Sequence, residues 1–451
     1  MRRNDETIIL ILIQKVTNMR KFYSFGLVML LSLMLCGIAA VAQTVTVDNI
    51  VYKIRNDGTA QLQNGKSATG DVVIPAEVEY EGKKYSVSCI EDDAFEKNTA
   101  ITSVEMPVSV KGIGRFVFEG CRSLASITGG AETLDFIGQS PFNQTPWLAN
   151  LPAEDGLKYW KGWIIDASQS NVFDELHIKE GTIGKVMGPP GYLQGKTLYL
   201  PKSFWDFEKK EISVEKFVVD KEHPNWYSDD YGAIYEKNSD VSYYSYNKNT
   251  YLYATGQSLY LAPTRKSGGT LMVAEGTVVL AERSCMNGNF ERIIVPEGCE
   301  YVLANCFRNL GICKYIELPS TLKYFYMSHP DGDSQLEIVL KAKEVPDSDR
   351  DPFAFCQHVT LYVPKESLEK YQADTRYNGK FKEIKAIPDN VTLKGDVNGD
   401  GKVNAADVTT VYNYIANPEA TGLTLDKVDI NGDGNVNATD ITDLYNLIQM
   451  E

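Results

Sequence analysis

The sequence predicts a solenoid with one short β-strand per turn and irregular connections, followed by a small α-helical domain with a duplicated loop–helix unit. Two observations indicate this fold. A motif of the form apolar-x-apolar-Pro recurs along the first 388 residues, and two near-copies of an acidic twelve-residue loop occur near the end of the 451-residue chain. A chain of this length is expected to contain more than one structural unit.

The first 42 residues have the features of an export signal. A basic pair, Arg20-Lys21, precedes an apolar run over 22–40, and a small-x-small cleavage site ends just before Gln43. Met19 opens a complete signal, so residues 1–18 are interpreted as an over-long start. The alternative is a transmembrane anchor, because the run is long enough to span a bilayer. The cleavage site favours removal, so we expect an exported protein, secreted or at the cell surface, with no transmembrane span after cleavage.

The repeat array with its closing unit is predicted over residues 93–388. Its main marker occurs at Val72–Pro75, Val104–Pro107, Leu198–Pro201, Ile293–Pro296, Ile316–Pro319 and Leu361–Pro364. A second marker, a small residue before a large apolar one, occurs at Ala94-Phe95, Val117-Phe118, Cys285-Met286, Cys306-Phe307 and Ala354-Phe355. Each marker recurs at an interval of 23 residues (296 to 319, 94 to 117), within the period of leucine-rich repeats.

The markers have a simple physical meaning. Alternate apolar residues of each strand point inward, and the proline ends the strand because it lacks a ladder donor. Cys285 and Cys306 occupy the slot that Ala or Val fills elsewhere, so they are expected to be small buried apolar residues.

These markers resemble the BspA-like leucine-rich repeats of bacterial surface proteins. Residues 45–95 are similar to that family's N-terminal cap, which we place at 43–92. Residues 216–237 resemble its intra-repeat hairpin, and residues 359–387 resemble its closing strand–helix–strand unit. The resemblance implies a leucine-rich-repeat solenoid. Between about 130 and 280 the spacing is irregular, so a less even coil is expected there rather than a separate domain.

The two acidic loops have the spacing of calcium ligands. They run from Asp396 to Asp407 and from Asp429 to Asp440, with oxygen side chains at positions 1, 3, 5, 9 and 12 and glycine at position 6. Calcium takes six to eight oxygens, position 7 supplies a carbonyl, and glycine allows the sharp turn. The predicted ligands of two Ca²⁺ sites are Asp396, Asn398, Asp400, the Lys402 carbonyl, Asn404 (through water) and Asp407, and then Asp429, Asn431, Asp433, the Asn435 carbonyl, Asn437 and Asp440.

An apolar stripe follows each loop. It comprises Val408, Val411, Tyr412 and Ile415 in one copy and Ile441, Leu444, Tyr445 and Ile448 in the other, which predicts two helices packed face to face. A loop followed by a helix, duplicated, with Asp instead of Glu at position 12, resembles a type I dockerin over residues 394–451. We place this domain at 389–451. The resemblance implies a calcium-folded, EF-hand-like module that docks onto cohesin domains.

The partner-contacting positions differ from those of cellulosomal dockerins, which often have Ser/Thr at loop positions 10 and 11 and a Lys-Arg pair a turn later. Here the corresponding residues are Ala405-Ala406 and Ala438-Thr439, then Tyr412-Asn413 and Tyr445-Asn446. The calcium sites carry over, whereas the cellulosomal partner does not. Because the two halves resemble each other, binding in either of two orientations stays open.

Catalysis, nucleic-acid binding and a disulfide framework are not indicated. The net charge is −15 with no basic patch, and the seven cysteines after the signal lack paired spacing. His177, His223, His329 and His358 have no zinc-ligand spacing, and no nucleophile elbow, P-loop or dinucleotide motif occurs. The acid clusters 91–93 and 229–230 leave glycoside hydrolysis as an alternative, which requires a carboxylate pair about 5–10 Å apart.

The aromatic stretch Tyr243–Tyr260, with Trp205 and Trp226 upstream, has two interpretations. Its rings either stack on sugar rings along an exposed face or pack against each other across paired strands. Exposure of the rings would favour the first interpretation, and burial of most of them would exclude it.

Three hypotheses of function follow. In the first, a non-catalytic surface protein binds a host or bacterial surface protein or glycan through the solenoid, and the dockerin-like module attaches it to a cohesin-like or other partner. In the second, it is an accessory component of polysaccharide catabolism. In the third, the C-terminal module is only a calcium-stabilised cap, since an ion that binds the folded state alone stabilises it by about 2.7 kcal/mol at a hundredfold excess over Kd.

Overall fold

The computed structural model describes residues 43–266, 268–330, 336–349, 352–388, 395–398, 403–430 and 434–449. The predicted signal peptide lies outside the described residues. Residues up to Asn150 form one compact unit, and residues from Leu151 onward form a second. Within the described ranges, no helix combines the length and the apolar character needed to cross a membrane.

Most of the secondary-structure elements in both units are β-strands. The first unit contains β1 (Thr44–Val47), β2 (Ile50–Ile54), β3 (Thr59–Asn64), β4 (Gly70–Val73), β5 (Glu77–Tyr80), β6 (Lys83–Ile90), β7 (Ile101–Met106), β8 (Gly112–Ile113), β9 (Ser126–Gly129) and β10 (Phe136–Ile137). The second contains β11 (Lys158–Trp160), β12 (Trp163–Asp166), β13 (Glu175–His177), β14 (Gly184–Lys185), β15 (Leu193–Leu200), β16 (Ile212–Val219), β17 (Trp226–Ser228), β18 (Ile234–Ser245), β19 (Thr250–Leu261), β20 (Thr270–Met272), β21 (Val279–Leu280), β22 (Arg292–Ile294), β23 (Tyr301–Val302), β24 (Tyr315–Leu318), β25 (Tyr324–Phe325), β26 (Glu337–Leu340), β27 (Thr360–Val363) and β28 (Glu383–Ala386).

The helices are few and short. They are α1 (Pro146–Asn150), α2 (Leu368–Ala373), α3 (Ala405–Ala416), α4 (Pro418–Thr421), α5 (Leu425–Val428) and α6 (Ala438–Gln449). Three single 3₁₀ turns occur at Ser170–Val172, Lys209–Glu211 and Lys365–Ser367.

The first unit begins as an antiparallel cap and continues as a parallel coil. Strands β1, β2 and β3 pair antiparallel, and β3 then pairs parallel with β6, which starts the order β6-β8-β10. On a second sheet, β4, β7 and β9 are parallel. The second marker forms a ladder inside the coil, where the Phe95 and Phe118 rings stack 5.3 Å apart and those of Phe118 and Phe142 stack 6.1 Å apart.

The second unit contains the most regular part of the solenoid. Its parallel sheet β20-β22-β24-β26-β27-β28 carries three of the predicted proline-terminated strands, at 293–296, 316–319 and 361–364. Ile293 lies opposite Ile316, which lies opposite Ile338 and then Leu361 one coil later, and all four side chains are fully buried. The predicted leucine-rich-repeat solenoid and its inward-pointing apolar ladder are therefore confirmed.

Each regular coil also carries a second strand that the sequence analysis did not anticipate. After β20, β22 and β24 the chain forms the two-residue strands β21, β23 and β25, which pair parallel in another sheet. Cys285 and Cys306 follow β21 and β23 and are fully buried free thiols, as expected for small core residues.

A long hairpin interrupts the array. Strands β18 and β19 are twelve residues each and pair antiparallel. This hairpin is distinct from the one that the resemblance indicated over 216–237, where β17 and the start of β18 pair antiparallel. On one face, the Tyr243 ring lies 5.3 Å from that of Tyr301 and 4.7 Å from that of Tyr324. At the tip, Ser245 Oγ donates to the Asp347 carboxylate, and the Tyr246 N–H donates to the Ser348 carbonyl at 2.8 Å. The hairpin therefore straps three successive coils together.

Candidate calcium loops and exposed tyrosines

The first predicted loop ends in a helix cap built by its own ligand residues. Asn404 is the N-cap of α3, and its Oδ1 accepts the Ala406 N–H at 2.8 Å. Asp407 completes a capping box because its Oδ2 accepts the Asn404 N–H at 2.8 Å. Its other oxygen accepts the Asn398 N–H at 3.1 Å, so one carboxylate joins the start of the loop to its end.

The second loop repeats this arrangement before α6. Asp440 accepts N–H groups from Ile430 and Asn437, each at 2.8 Å, and Asn437 Oδ1 accepts the Thr439 N–H at 2.9 Å. The duplication seen in the sequence is therefore also a duplication of backbone contacts. Gly434, at position 6, has a φ of +83°, and its N–H donates to Asp429 Oδ2 at 2.8 Å, which is the turn that glycine was expected to allow.

The position-12 carboxylates have the environment of cation ligands. Asp407 and Asp440 are both 0 % exposed, and Asp396 is also buried. A buried carboxylate is costly unless positive charge compensates it, and among the described residues no lysine or arginine forms an ion pair with Asp407. A bound divalent cation would supply that charge.

Eight of the twelve predicted ligands belong to the described residues. The other four, Asp400, Lys402, Asn431 and Asp433, lie outside them. Within the described part of the chain, no three His, Cys, Asp or Glu side chains are grouped as a metal site. The ligand set thus remains a prediction.

The two helices pack against each other, but on a face that differs from the predicted one. Their core consists of Val397, Val403, Val411, Val428, Ile430 and Leu444, flanked by Val408, Tyr414, Leu423, Val436, Ile441, Leu447 and Ile448. Tyr412, Ile415 and Tyr445 are exposed instead, so the prediction that they belong to the packed stripe is wrong. The loop residues Val397, Val403 and Ile430 also supply apolar side chains to this core, and Tyr412 of α3 and Tyr445 of α6 lie outside it.

Comparison with protein families agrees with both parts of the fold. The profile of the dockerin type I domain matches residues 394–449. That of the BspA type leucine rich repeat region matches six copies over residues 83–174 and 279–396. The chain carries BspA-type leucine-rich repeats and a C-terminal type I dockerin domain. The unmatched stretch between the two repeat segments contains the hairpin of β18 and β19, called the strap hairpin below.

Solved structures of bacterial leucine-rich proteins are similar to this chain. A leucine rich cell surface protein from Faecalibacterium prausnitzii is 15% identical, with 81% of this chain and 100% of that chain covered and a TM-score of 0.37. A leucine-rich repeat protein from Eubacterium ventriosum is 16% identical (78% and 86% covered, TM-score 0.38), and one from Bacteroides ovatus is 14% identical (76% and 100%, TM-score 0.25). Among curated proteins, none matches this chain.

The dockerin domain exposes the same aromatic residue from each half. Tyr412 on α3 is 65% exposed and Tyr445 on α6 is 53% exposed, at equivalent positions of the duplicated unit. These are the positions where the sequence lacks the Lys-Arg pair. The domain therefore presents two uncharged aromatic rings at the positions where cellulosomal dockerins often have a charged pair.

The aromatic stretch of the hairpin divides between the two interpretations. Tyr243 packs inward on the coil, and Tyr260 stacks on buried Trp226 with 4.8 Å between ring centroids. Tyr251 and Tyr253 alternate along β19 and are 68% and 63% exposed. One face is thus explained by packing, while the other offers rings to solvent.

The acid clusters and the buried histidine have structural partners. Asp92 Oδ2 accepts two N–H groups of the Arg115 guanidinium (2.7 and 2.9 Å). Asp229 accepts the N–H groups of Gly232 and Ala233 in the turn before β18. His223 is buried, with Nε2 2.8 Å from the Phe204 carbonyl and Nδ1 accepting the Trp226 N–H. These groups support the fold, and the families that match the chain are not catalytic ones.

Proposed function

We propose that this protein is a non-catalytic, exported surface protein whose repeat array binds a glycan or protein while its dockerin domain attaches it to a cohesin-like partner in a calcium-dependent manner. The observation that carries the proposal is the duplicated loop in which Asp407 and Asp440 are completely buried. The match to the dockerin type I domain supports the same conclusion.

Calcium would be held by the twelve predicted ligands, two sets of six. The ion would supply positive charge beside the buried carboxylates of Asp407 and Asp440. The residues themselves position the helices: Asn404 and Asn437 cap α3 and α6, and Asp407 and Asp440 tie each cap to the start of its loop. Folding of the helix pair is therefore coupled to filling of the loops.

The partner of the dockerin domain would recognise aromatic rather than basic side chains. Tyr412 and Tyr445 provide apolar area with a hydroxyl at its edge, a combination enriched at protein interfaces. We infer a cohesin-like surface with an apolar pocket that accepts either tyrosine.

The exposed rings of Tyr251 and Tyr253 favour a glycan among the ligands of the array. Flat aromatic side chains on a rigid strand pair offer stacking surface to sugar rings at little entropic cost. A glycan-binding solenoid attached through a dockerin would act as an accessory component in polysaccharide use.

A capture experiment tests the attachment. The mature chain, residues 43–451, is immobilised and exposed to surface and secreted proteins of the source cell, in calcium and in chelator. The Asp407→Ala/Asp440→Ala variant serves as control. We expect a defined partner that is retained by the unmutated chain in calcium alone. If no partner is retained, or if the same proteins are retained in chelator and by the variant, the domain would be interpreted as a calcium-stabilised cap.

A further inference from the structure

A polar cleft of about 270 Å³ opens in the second unit, away from the hairpin tip and the dockerin loops. Its walls come from five segments: the start of β15 with the residue before it, the 3₁₀ turn before β16, β16 itself and two later loops. The residues that matter for binding are Tyr192, Gln194, Lys210, Ser213, Thr264 and Asn287.

Several of these side chains retain unused hydrogen-bonding capacity. Lys210 is exposed and has no ion-pair partner among the described residues. Asn287 accepts the Asn309 amide at 3.0 Å through Oδ1, which leaves its own amide N–H groups for a ligand. Thr264 donates to Ser213 at 3.3 Å, so these two hydroxyls are held in place by each other. The neighbouring Lys209 is already occupied, because its Nζ donates to the Glu282 carbonyl at 2.9 Å and lies 4.1 Å from the Tyr260 ring centre.

Two lysines, Lys209 and Lys210, line the cleft in a strongly acidic protein. The net charge of the chain is −15, yet no carboxylate lines the cleft. The two acids of the same turn are neutralised elsewhere. Glu211 forms a buried ion pair with Lys185 at 2.7 Å, and Glu208 lies 3.6 Å from the Arg283 guanidinium. The charge of Lys210 is therefore left uncompensated beside donors from Asn287 and Gln194.

An aromatic ring forms one wall of the same cleft. Tyr192 is 54% exposed, and among the described residues its ring packs on no other aromatic side chain. A ring-shaped ligand that stacks on Tyr192 would meet amide and hydroxyl groups for its own hydroxyls and an ammonium group for an acidic substituent. A ring, several hydroxyls and one anionic group together describe an acidic sugar.

We propose that this cleft binds an acidic sugar unit of a glycan, with Tyr192 stacking on the ring and Lys210 pairing with its carboxylate or sulfate. The proposal rests on the glycan-binding part of the proposed function and adds a site and a ligand class to it. In this proposal the hairpin tyrosines, Tyr251 and Tyr253, do not contribute to the preference for a charged sugar.

The test uses the mature chain and three probes: a tetragalacturonate, a sulfated galactan oligosaccharide and a neutral galacto-oligosaccharide of the same length. Calorimetric titration is run on the unmutated protein, on Lys210→Met and on Tyr192→Ala. Lys202→Met is the matched control, since Lys202 is also exposed but pairs with Glu222 at 3.0 Å. Tyr251→Ala reports on the hairpin.

We expect one of the anionic probes to bind at least about tenfold more tightly than the neutral one, a difference that a single charged contact is able to supply. Lys210→Met should remove this preference, and Tyr192→Ala should weaken the binding of both the anionic and the neutral probes. Lys202→Met should change neither the preference nor the affinities. The preferred probe distinguishes a carboxylate from a sulfate.

Three results would contradict the proposed site. If the anionic and neutral probes bind with equal affinity, the ligand of the cleft is not an acidic sugar. Loss of binding in Tyr251→Ala, with Lys210→Met unaffected, would place glycan binding on the hairpin and leave the proposed function standing. Failure of all three probes would reject both the cleft and glycan binding by the array, while the dockerin attachment is judged by the capture experiment.

Discussion

Asp407 Oδ2 lies 2.8 Å from the backbone nitrogen of Asn404, and 33 residues later (404 to 437) Asp440 makes the same bond to Asn437 at 2.8 Å. Each aspartate is at once the last residue of a predicted calcium loop and the third residue of a helix. Its carboxylate also reaches the N–H of Asn398 or Ile430 at the loop's beginning. Because one side chain joins both ends of the loop to the helix cap, ion binding and helix formation are expected to be linked.

Replacing both aspartates should abolish calcium binding. Asp407→Ala/Asp440→Ala removes one anionic ligand and one cap contact from each loop, and we expect affinity to fall by at least about 100-fold, the upper end of what loss of a supporting partner costs. Isothermal titration measures the change. Glu419→Ala, at an exposed acid on α4, is the control and should titrate normally. An unaltered titration of the double variant would reject the ligand assignment.

The two exposed tyrosines should act as alternatives. If either half of the dockerin domain docks, Tyr412→Ala or Tyr445→Ala alone should lower partner affinity by about twofold, which is the loss of one of two equivalent orientations. The double variant should lose at least about tenfold, since a buried aromatic anchor is worth 1.4 kcal/mol or more. Affinity is measured by surface plasmon resonance against the captured partner. Full loss in one single variant would mean that one orientation is used.

Tyr243 and Tyr251 offer a matched pair for the strap hairpin. Both are tyrosines of the same hairpin, but Tyr243 packs on Tyr301 and Tyr324 whereas Tyr251 faces solvent. We expect Tyr243→Ala to lower the free energy of unfolding by about 1–3 kcal/mol and Tyr251→Ala to change it by less than about 0.5 kcal/mol. Urea denaturation followed by tryptophan fluorescence measures both. Equal effects would mean that the hairpin does not strap the coils.

Glu236 on β18 should make stability depend on pH. Burial raises the pKa of its carboxyl to about 7, so the folded state favours the protonated form. The stability that protonated Glu236 contributes is present in full below the pKa of the unfolded state, near 4.5, and is lost as the pH rises through 7. Glu236→Gln should therefore gain stability relative to the unmutated protein between pH 5 and pH 8, by about 2–3 kcal/mol. Unfolding curves at the two pH values test this, and a constant difference would contradict it.

Removing residues 389–451 should leave the repeat array folded. The last strand, β28, pairs parallel with β27, and α2 precedes it, so the array has a closing unit of its own. We expect the truncated protein to melt at the temperature of the full chain in chelator. Circular dichroism gives that comparison. A markedly lower, cooperative transition would move the boundary toward the C-terminus.

The parts that local pattern specifies were predictable. Proline-terminated strands and buried cysteines follow from residue type and period alone, because one coil repeats the environment of the next. The loop spacing likewise predicted the position of Asn404 and Asp407 at a turn before a helix. The second strand of each coil was missed, because two residues such as Val279 and Leu280 carry no recognisable periodicity.

The tertiary structure decided which face of each helix or strand is buried. Periodicity placed Tyr412 and Tyr445 in the helix stripe, but apolar residues from the loops compete for the same core and leave both rings in solvent. It also separated Tyr243 from Tyr251, since only the path of the hairpin over the coils determines which side of an aromatic strand is covered. The cleft at Lys210 depends on segments up to 95 residues apart in sequence (192 to 287). The sequence by itself determined the repeats and the duplicated loops and predicted the calcium chemistry of those loops, whereas long-range packing determined which side chains remain available to a ligand.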